Sequence, residues 1–295
     1  MPQQRFGGEH TELKLSKVED YLKAYTEALK NQDFRLIYFD AFAGTGDIPQ
    51  ARNGAPRLPN VDDYEPFIVG SALRALSLPI PFDEYVFVDS DEKKVAKLET
   101  LANEFPHLRE RMHLKCADAN LELQRFCADR DWRKWRAVIF LDPFGNQVEW
   151  KTIESIARTE AVDLWYLFPA GLGVHRQIAR DGSVHRTHDA SLDRILGTSD
   201  WRNSFVKTQH EVDLFGEIQR VTSKEADPDL ITKYMINRMK GIFHGGVLDL
   251  WLPLGSRGVH MYSLIFAWAN PSRKAKLAGK LAEAVLRSSS HGRTK

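Results

Sequence analysis

From residue 13 to residue 168, short apolar runs alternate with amphipathic stretches. The runs are uninterrupted, which is typical of parallel strands that helices cover on both faces. The stretches between them repeat apolar residues at helical spacing. The pattern predicts an α/β domain, with strands at 36–40, 85–89, 112–116, 137–142 and 162–168 and helices at 13–29, 71–78, 92–105, 121–129 and 150–158.

The pattern changes in the segment 172–241, which is polar and has helical spacing only near 191–196 and 230–240. We predict that this segment is an inserted helical lid or subdomain. Two strands, at 246–253 and 258–269, and a closing helix at 272–287 are predicted after it. The chain, residues 1–295, is therefore expected to form a single domain.

Four of the predicted strands end on an acidic residue or are followed closely by one, at Asp40, Asp89, Asp118 and Asp142. In open α/β sheets, ligands bind outside the carboxyl ends of the strands. A row of carboxylates at that edge suits a ligand that carries an amine and a sugar. S-adenosyl-L-methionine (SAM) is such a ligand.

The turn after the first strand has the sequence Asp40-Ala-Phe-Ala-Gly-Thr-Gly46. Gly44 and Gly46 allow the backbone to approach a ligand without a Cβ clash. Asp40 is suited to accept hydrogen bonds from a cationic amine, and Phe42 to pack along an aliphatic arm. With Ala43 between them, these residues are predicted to form the cofactor pocket. An ordinary glycine-rich turn is the alternative.

A dinucleotide site is the nearest competing interpretation of this turn. The Gly-x-Gly-x-x-Gly fingerprint needs a third glycine where this chain has Pro49, and the predicted helix does not begin promptly. A P-loop is excluded, since no Gly-Lys-Ser/Thr follows. An NAD-type oxidoreductase is therefore disfavoured.

Further cofactor contacts are predicted at the next two strand ends. Asp89 is suited to accept both ribose hydroxyls, with Asp91 as the rival. Asp118, followed by Ala119, is placed for the adenine amine. A helix N-cap is the alternative for each of these acids, because Asp is favoured there; of the first pair, Asp91 is the better candidate for a cap.

The fourth predicted strand ends in Asp142-Pro-Phe-Gly145. Pro143 fixes φ and ends the strand, which directs Asp142 into the cleft. Asp142 is suited to accept a hydrogen bond from an exocyclic amine, and Phe144 to stack on a flat substrate. Catalysis would then consist mainly of positioning the nitrogen against the methyl group of the sulfonium. The alternative is a plain strand-ending turn with Phe144 in the core.

Several stretches together resemble the three-Cys-motif partner protein family. They are His10-Thr-Glu-Leu-Lys14, Tyr38 to Gly46, Phe140-Leu-Asp-Pro-Phe-Gly145 and Asp163 to Gly171. The resemblance extends from about residue 10 to the final strands. It implies a SAM-dependent, methyltransferase-like protein, often encoded beside a protein with a three-cysteine, radical-SAM-like motif.

The Asp-Pro-Phe-Gly segment is also similar to the corresponding motif of tRNA guanine-N2 dimethyltransferases. It more loosely resembles the Asp-Pro-Pro-Tyr motif of adenine-N6 methyltransferases. Phe144 stands here in place of the second proline, and Gly145 in place of the terminal aromatic residue. The resemblance implies transfer to an exocyclic amine of a nucleobase.

Charge and composition narrow the choice of partners only slightly. Lys and Arg total 41 against 40 for Asp and Glu, so the net charge of +1 gives no overall attraction to nucleic acid. Basic residues nevertheless cluster at the start of the insert, at His175, Arg176, Arg180, His185, Arg186 and His188. This cluster is interpreted either as a nucleic-acid-binding face or as part of a solvated lid.

Two cysteines, and histidines without metal-ligand spacing, predict no metal site. The N-terminus has no apolar signal region, and no apolar run has the length to span a bilayer. We therefore expect a cytoplasmic protein that does not associate with membranes.

The combined prediction is a Rossmann-like class I methyltransferase fold. Its seven-stranded, mostly parallel sheet would have an antiparallel last strand, plus the helical insert. The predicted function is SAM-dependent methylation of an exocyclic nucleobase amine in RNA or DNA. The alternative is a methyltransferase-fold partner of a three-cysteine protein, with little or no activity alone.

Overall fold

The computed structural model describes residues 8–43, 65–212, 218–256 and 258–288. Gly44, Gly46 and most of the loop predicted at 47–65 lie outside these ranges. The described helices are α1 (Gly8–Leu29), α2 (Glu65–Leu76), α3 (Glu92–Asn103), α4 (Ala119–Asp129), α5 (Trp150–Arg158), α6 (Arg186–Leu196), α7 (Trp201–Phe205), α8 (Pro228–Lys240) and α9 (Lys276–Arg287). The described strands are β1 (Arg35–Asp40), β2 (Glu84–Asp89), β3 (Met112–Cys116), β4 (Trp135–Leu141), β5 (Val162–Phe168), β6 (Val206–Val212), β7 (Ile218–Lys224), β8 (Gly246–Val247), β9 (Leu252–Ser256) and β10 (Val259–Trp268).

The main sheet has the order β3-β2-β1-β4-β5-β10-β8, with β9 also paired to β10. The pairs from β3 through β5 are parallel, whereas β10 is antiparallel to each of its partners. β8 and β9 pair with successive parts of β10, so together they fill one edge position. The sheet thus has seven positions and an antiparallel strand near its end, which confirms the predicted Rossmann-like class I methyltransferase fold.

Helices cover both faces of this sheet. Alternate residues of each strand point to opposite faces, so Tyr38 and Phe140 pack on the side of α1, α2, α3 and α9, while Phe39 and Ile139 pack on the side of α4, α5 and α8. Every residue of β5 is buried. This double burial explains why the strands are continuous apolar runs in the sequence.

The segment 172–241 departs from the expectation of an insert made of helices. It contains α6, α7 and α8, and it also contains the antiparallel hairpin β6–β7, which forms a separate two-stranded sheet. The apolar face of α8 packs in the core through Ile231, Met235 and Met239. The hairpin escaped prediction because its strands are rich in polar residues and contain no continuous apolar run. A lid role for the segment stays a prediction.

Asp163 is an acid within the buried strand β5. Its Oδ2 accepts a hydrogen bond of 2.6 Å from the hydroxyl of Tyr21 on α1. Burial raises the pKa of Asp163 from 3.8 to about 7, while the Tyr21 hydrogen bond and Arg136 oppose the shift. A raised folded-state pKa stabilises the fold at low pH, and this contribution is lost as the pH rises through 7.

The substitution Asp163→Asn tests this assignment, because it keeps an oxygen for Tyr21 and removes the ionisation. We expect its free energy of unfolding, relative to the wild type, to increase by roughly 3 kcal/mol between pH 4 and pH 8. Urea denaturation across that range measures the difference. Parallel pH profiles for the two proteins would contradict a buried, titrating Asp163.

Candidate functional site

A cavity of about 310 Å³ opens at the carboxyl ends of β1, β2 and β3. Its wall is formed by the last residue of β2, the segments that follow β1, β2, β3 and β4, the start of α4, and helix α6. Its lining residues are Ala41, Phe42, Asp89, Ser90, Ala117, Asp118, Ala119, Asn120, Gln147, Glu149 and Arg194. Four residues predicted to bind cofactor therefore lie on one cavity: Phe42, Asp89, Asp118 and Ala119.

Asp89 is the buried acid of this cavity. Its Oδ1 accepts a hydrogen bond of 2.7 Å from the backbone N–H of Asp91. Its Oδ2 lies 4.0 Å from Nζ of Lys94. These contacts fix the carboxylate at the end of β2, where it faces the cavity as a hydrogen-bond acceptor.

Asp91 and Asp118 both have the capping role that the sequence analysis gave as the alternative. Asp91 is the N-cap of α3, and its side chain accepts the N–H of Lys93 at 2.8 Å. Asp118 is the N-cap of α4 and accepts the N–H of Leu121 at 2.9 Å. Asp118 also lines the cavity and Asp91 does not. Ligand contacts by either acid stay predictions.

Asp40 lies beside the cavity rather than on its wall, with 1% of its surface exposed. The Ser71 hydroxyl donates to its Oδ2 at 2.8 Å, and its Oδ1 has no hydrogen-bond partner among the described residues. Burial raises the pKa of Asp40 to about 7, and the charge of Asp142 adds to the shift. The predicted contact between Asp40 and a ligand amine stays a prediction.

The turn after β1 is attached to the neighbouring strands through its backbone. The N–H of Ala41 donates to Phe140 O at 3.2 Å, and the N–H of Ala43 donates to Val88 O at 2.9 Å. Ala43 is buried and does not line the cavity. The turn is therefore held in place at its first residues, while Gly44 and Gly46 lie outside the described chain.

The second predicted site begins where β4 ends. Asp142 accepts a hydrogen bond and ion pair of 2.5 Å from Nζ of Lys14, 128 residues away on α1. Desolvation lowers the pKa of the Lys14 ammonium, and the attraction of Asp142 opposes that shift. The sequence analysis assigned no role to Lys14. Its spacing of four and seven residues from the buried Val18 and Tyr21 is the feature that places it on the buried face of α1.

Pro143 and Phe144 continue from Asp142 into a tight turn. The N–H of Phe144 donates to Oε1 of Gln147 at 2.9 Å. Gly145 has φ of +64°, a conformation that favours glycine. Pro143 is buried and Phe144 is partly exposed, so the Phe144 ring is not sealed within the core. The roles of Asp142, Pro143 and Phe144 toward a substrate stay predictions.

Asn120 joins the two sites and was missed in the sequence analysis. Its Nδ2 donates to Gln147 O at 2.9 Å, and its Oδ1 accepts from the Glu149 N–H at 3.0 Å and the Thr152 hydroxyl at 2.8 Å. Asn120 thus fastens the start of α4 to the segment that follows the Asp142 turn. No sequence pattern predicts such a role for a single asparagine.

The insert contacts both sites. Arg194 of α6 lies on the cavity wall. Nδ2 of Asn146, next to the Asp142 turn, donates to Gln177 Oε1 at 3.1 Å and to Ser191 Oγ at 3.2 Å. A Cβ on Gly173 would collide with Oδ1 of Asn146, so the insert and this turn are closely packed.

Metal-ligand clusters and membrane-spanning helices are both absent from the described ranges of the chain. No three His, Cys, Asp or Glu side chains of those residues come together as metal ligands. None of the helices in the same part is long and apolar enough to cross a bilayer.

Comparison with known proteins gives distant structural likenesses. No family model matches the chain, and no curated protein matches it. A proposed methyltransferase from Escherichia coli, yhhF, is 12% identical, with 70% of this chain and 86% of that chain covered and a TM-score of 0.30. A proposed rRNA methylase from Clostridium thermocellum is 12% identical, with coverage of 72% and 97% and a TM-score of 0.31.

A Legionella pneumophila protein is 13% identical, with 80% of this chain and 94% of that chain covered and a TM-score of 0.39. TM-scores and sequence identities this low carry no information about the chemistry of this chain. The fold assignment therefore rests on the strand order, and the resemblance to three-Cys-motif partner proteins stays a prediction.

The substitution Asn120→Ala tests the link between the two sites. It leaves the Glu149 N–H and the Gln147 carbonyl without their partner, so we expect a loss of roughly 2 kcal/mol in the free energy of unfolding. Hydrogen exchange of the Glu149 amide should accelerate about tenfold or more. Gln124→Ala is the matched control on the same helix, because Gln124 contacts only the Thr152 hydroxyl of this set. Equal effects of the two substitutions would remove Asn120 from this role.

Proposed function

We propose that the protein is a SAM-dependent methyltransferase that methylates an exocyclic amine of a nucleobase in RNA or DNA. The observation that supports this most directly is the cavity at the ends of β1, β2 and β3, with the buried carboxylate of Asp89 on its wall. The turn with Asp142 follows the adjacent strand β4. A cofactor cavity and a substrate-holding acid at one sheet edge are the arrangement that methyl transfer needs.

In this proposal the cavity holds the nucleoside part of SAM. Asp89 accepts hydrogen bonds from the ribose hydroxyls, which are charge-assisted and therefore strong. Asp118 and Ala119, at the start of α4, border the adenine. Phe42 borders the methionine part, where its partly exposed ring offers an apolar surface. Contacts of the cofactor with Asp40, Ala43, Gly44 and Gly46 stay predictions.

Transfer takes place beside Asp142. The lone pair of the substrate nitrogen attacks the methyl carbon as the bond from that carbon to sulfur breaks. Sulfur keeps the bonding electrons and becomes the neutral thioether of the product. The nitrogen then loses one proton to water. Asp142 accepts a hydrogen bond from the amine, and Phe144 stacks on the base, so these residues act by orientation.

Nucleic acid as the substrate is supported by the exposed cations on the insert. Arg176, Arg180 and Arg186 are exposed, and none of them has an acidic partner within the part of the chain that the structure describes. The insert also lies against the turn that follows Asp142. Phosphates of a strand entering the site would meet these arginines.

A second candidate function is that of a methyltransferase-fold partner of a three-cysteine protein, with little or no activity alone. The hairpin β6–β7 favours it, because Ile218 is 72% exposed on a strand that pairs only with β6. Methyl transfer measured with and without the three-cysteine protein separates the candidates. Transfer by the purified chain alone would exclude the partner-only function.

The cofactor assignment is tested by calorimetric titration with SAM and with its demethylated product. We expect Asp89→Ala to weaken binding at least about tenfold, since hydrogen bonds to a carboxylate are lost. Asp91→Ala is the control: it removes the cap of α3, yet it keeps the backbone N–H that orients Asp89. Its affinity should stay within about twofold, with stability lower by about 1 kcal/mol.

Three outcomes of this titration are informative. Binding that survives Asp89→Ala would place the ribose elsewhere. Binding that is lost only with Asp91→Ala would assign the ribose to Asp91. If the wild type binds neither ligand, the methyltransferase proposal fails.

A further inference from the structure

A buried group of charges lies between α1 and the end of β4. Nζ of Lys14 is 2.5 Å from Oδ2 of Asp142, and the exposed fractions of the two side chains are 3% and 12%. The Lys14 ammonium also lies 5.7 Å from the centre of the Phe140 ring. Asp40, at the end of the neighbouring strand β1, adds a further electrostatic attraction on Lys14. Lys14 is thus placed between the two predicted acids of β1 and β4.

A buried ion pair of this kind needs an explanation beyond stability. Removing two charges from water costs about as much as their attraction returns, so apolar residues of similar volume would serve the core equally well. Asp142 keeps the larger exposure of the two side chains. Its Oδ2 accepts the hydrogen bond from Lys14.

We propose that Lys14 is a positioning residue for methyl transfer, which orients Asp142 so that the second carboxylate oxygen accepts the substrate amine. This inference rests on the proposed function. The ammonium fixes rotation of the carboxylate by holding Oδ2.

Lys14 interacts electrostatically with two acids, Asp142 and Asp40. The remaining polar groups here are the Ser71 hydroxyl, which bonds Asp40, and the Tyr38 hydroxyl, whose pKa burial and both acids raise. Lys14 is the cation among these described groups.

Lys17 offers a matched control on the same helix. It is also buried, but its Nζ donates to the carbonyl of Val285, at the end of α9, at 2.8 Å. Its substitution removes a buried lysine of α1 without touching the Asp142 turn. A loss of function common to both lysines would therefore indicate only a damaged α1.

The test compares Lys14→Met, Lys17→Met, Asp142→Asn and the double variant Lys14→Met/Asp142→Asn. Three quantities are measured: SAM affinity, thermal stability, and the rate at which label passes from SAM to total cellular nucleic acid. We expect Lys14→Met to lower the transfer rate at least about tenfold, with SAM affinity within about threefold of the wild type.

The double variant separates positioning from structure. Lys14→Met alone leaves a buried, unpaired carboxylate, so adding Asp142→Asn should recover part of the lost thermal stability. It should not recover transfer, because the neutral amide oxygen accepts more weakly than the carboxylate and no lysine orients it. Lys17→Met should lower stability and leave the transfer rate within about twofold.

Three results would overturn the inference and can be told apart. If the wild type transfers label and Lys14→Met does so equally well, Lys14 has no positioning role and the proposed function stands. If the double variant regains transfer along with stability, Lys14 serves the fold alone. If the wild type binds no SAM and transfers no label, the proposed function fails, and the role of Lys14 fails with it.

Discussion

Burial of both faces of the parallel sheet is the constraint on which the rest of this structure depends. Helices cover β1, β4 and β5 on each side, so a polar ligand can meet these strands only at their ends. All five parallel strands direct their carboxyl ends to one edge. The cavity with Asp89 and the turn with Asp142 therefore both lie at this edge. Most of the chain between these two residues is helix and strand.

The same burial makes charge inside the protein costly, which gives meaning to the few charges that remain there. Asp163 is deep in β5, where Tyr21 bonds it and its pKa rises to about 7. Lys14, Asp142 and Asp40 lie on the same face, at the carboxyl ends of β1 and β4. Asp163 accepts its hydrogen bond from a neutral hydroxyl. The group of Lys14, Asp142 and Asp40 instead contains an ion pair, at the place where substrate is proposed to bind.

Local pattern was sufficient for most of the fold. The predicted limits of β3, β5 and α5 match the structure, because uninterrupted apolar runs and helical spacing follow directly from burial. The β6–β7 hairpin could not be predicted in this way, since both of its strands are largely solvated. The ends of the predicted strands likewise identified Asp89 and Asp118 as site residues, and both line the cavity. An acid in such a position can equally be a helix N-cap, which is the role that Asp91 and Asp118 have in the structure.

Contacts between distant parts of the chain were beyond the reach of sequence patterns. The pairing of Lys14 with Asp142 spans 128 residues and depends on how α1 packs across β4. Asn120 holds the segment after β4 through three hydrogen bonds that no spacing rule describes. These two residues connect the proposed cofactor and substrate positions, so the site is less predictable than the sheet that supports it.

We propose that SAM binds in the Asp89 cavity at this sheet edge, with its sulfur directed toward the Asp142 turn. A crystal structure of the complex with the demethylated cofactor product tests it most directly. The account predicts ribose hydroxyls within hydrogen-bond distance of Asp89, adenine beside Ala119, and the sulfur atom on the side of Asp142 and Phe144. A ligand bound outside this cavity, or with its sulfur directed away from Asp142, would contradict the account.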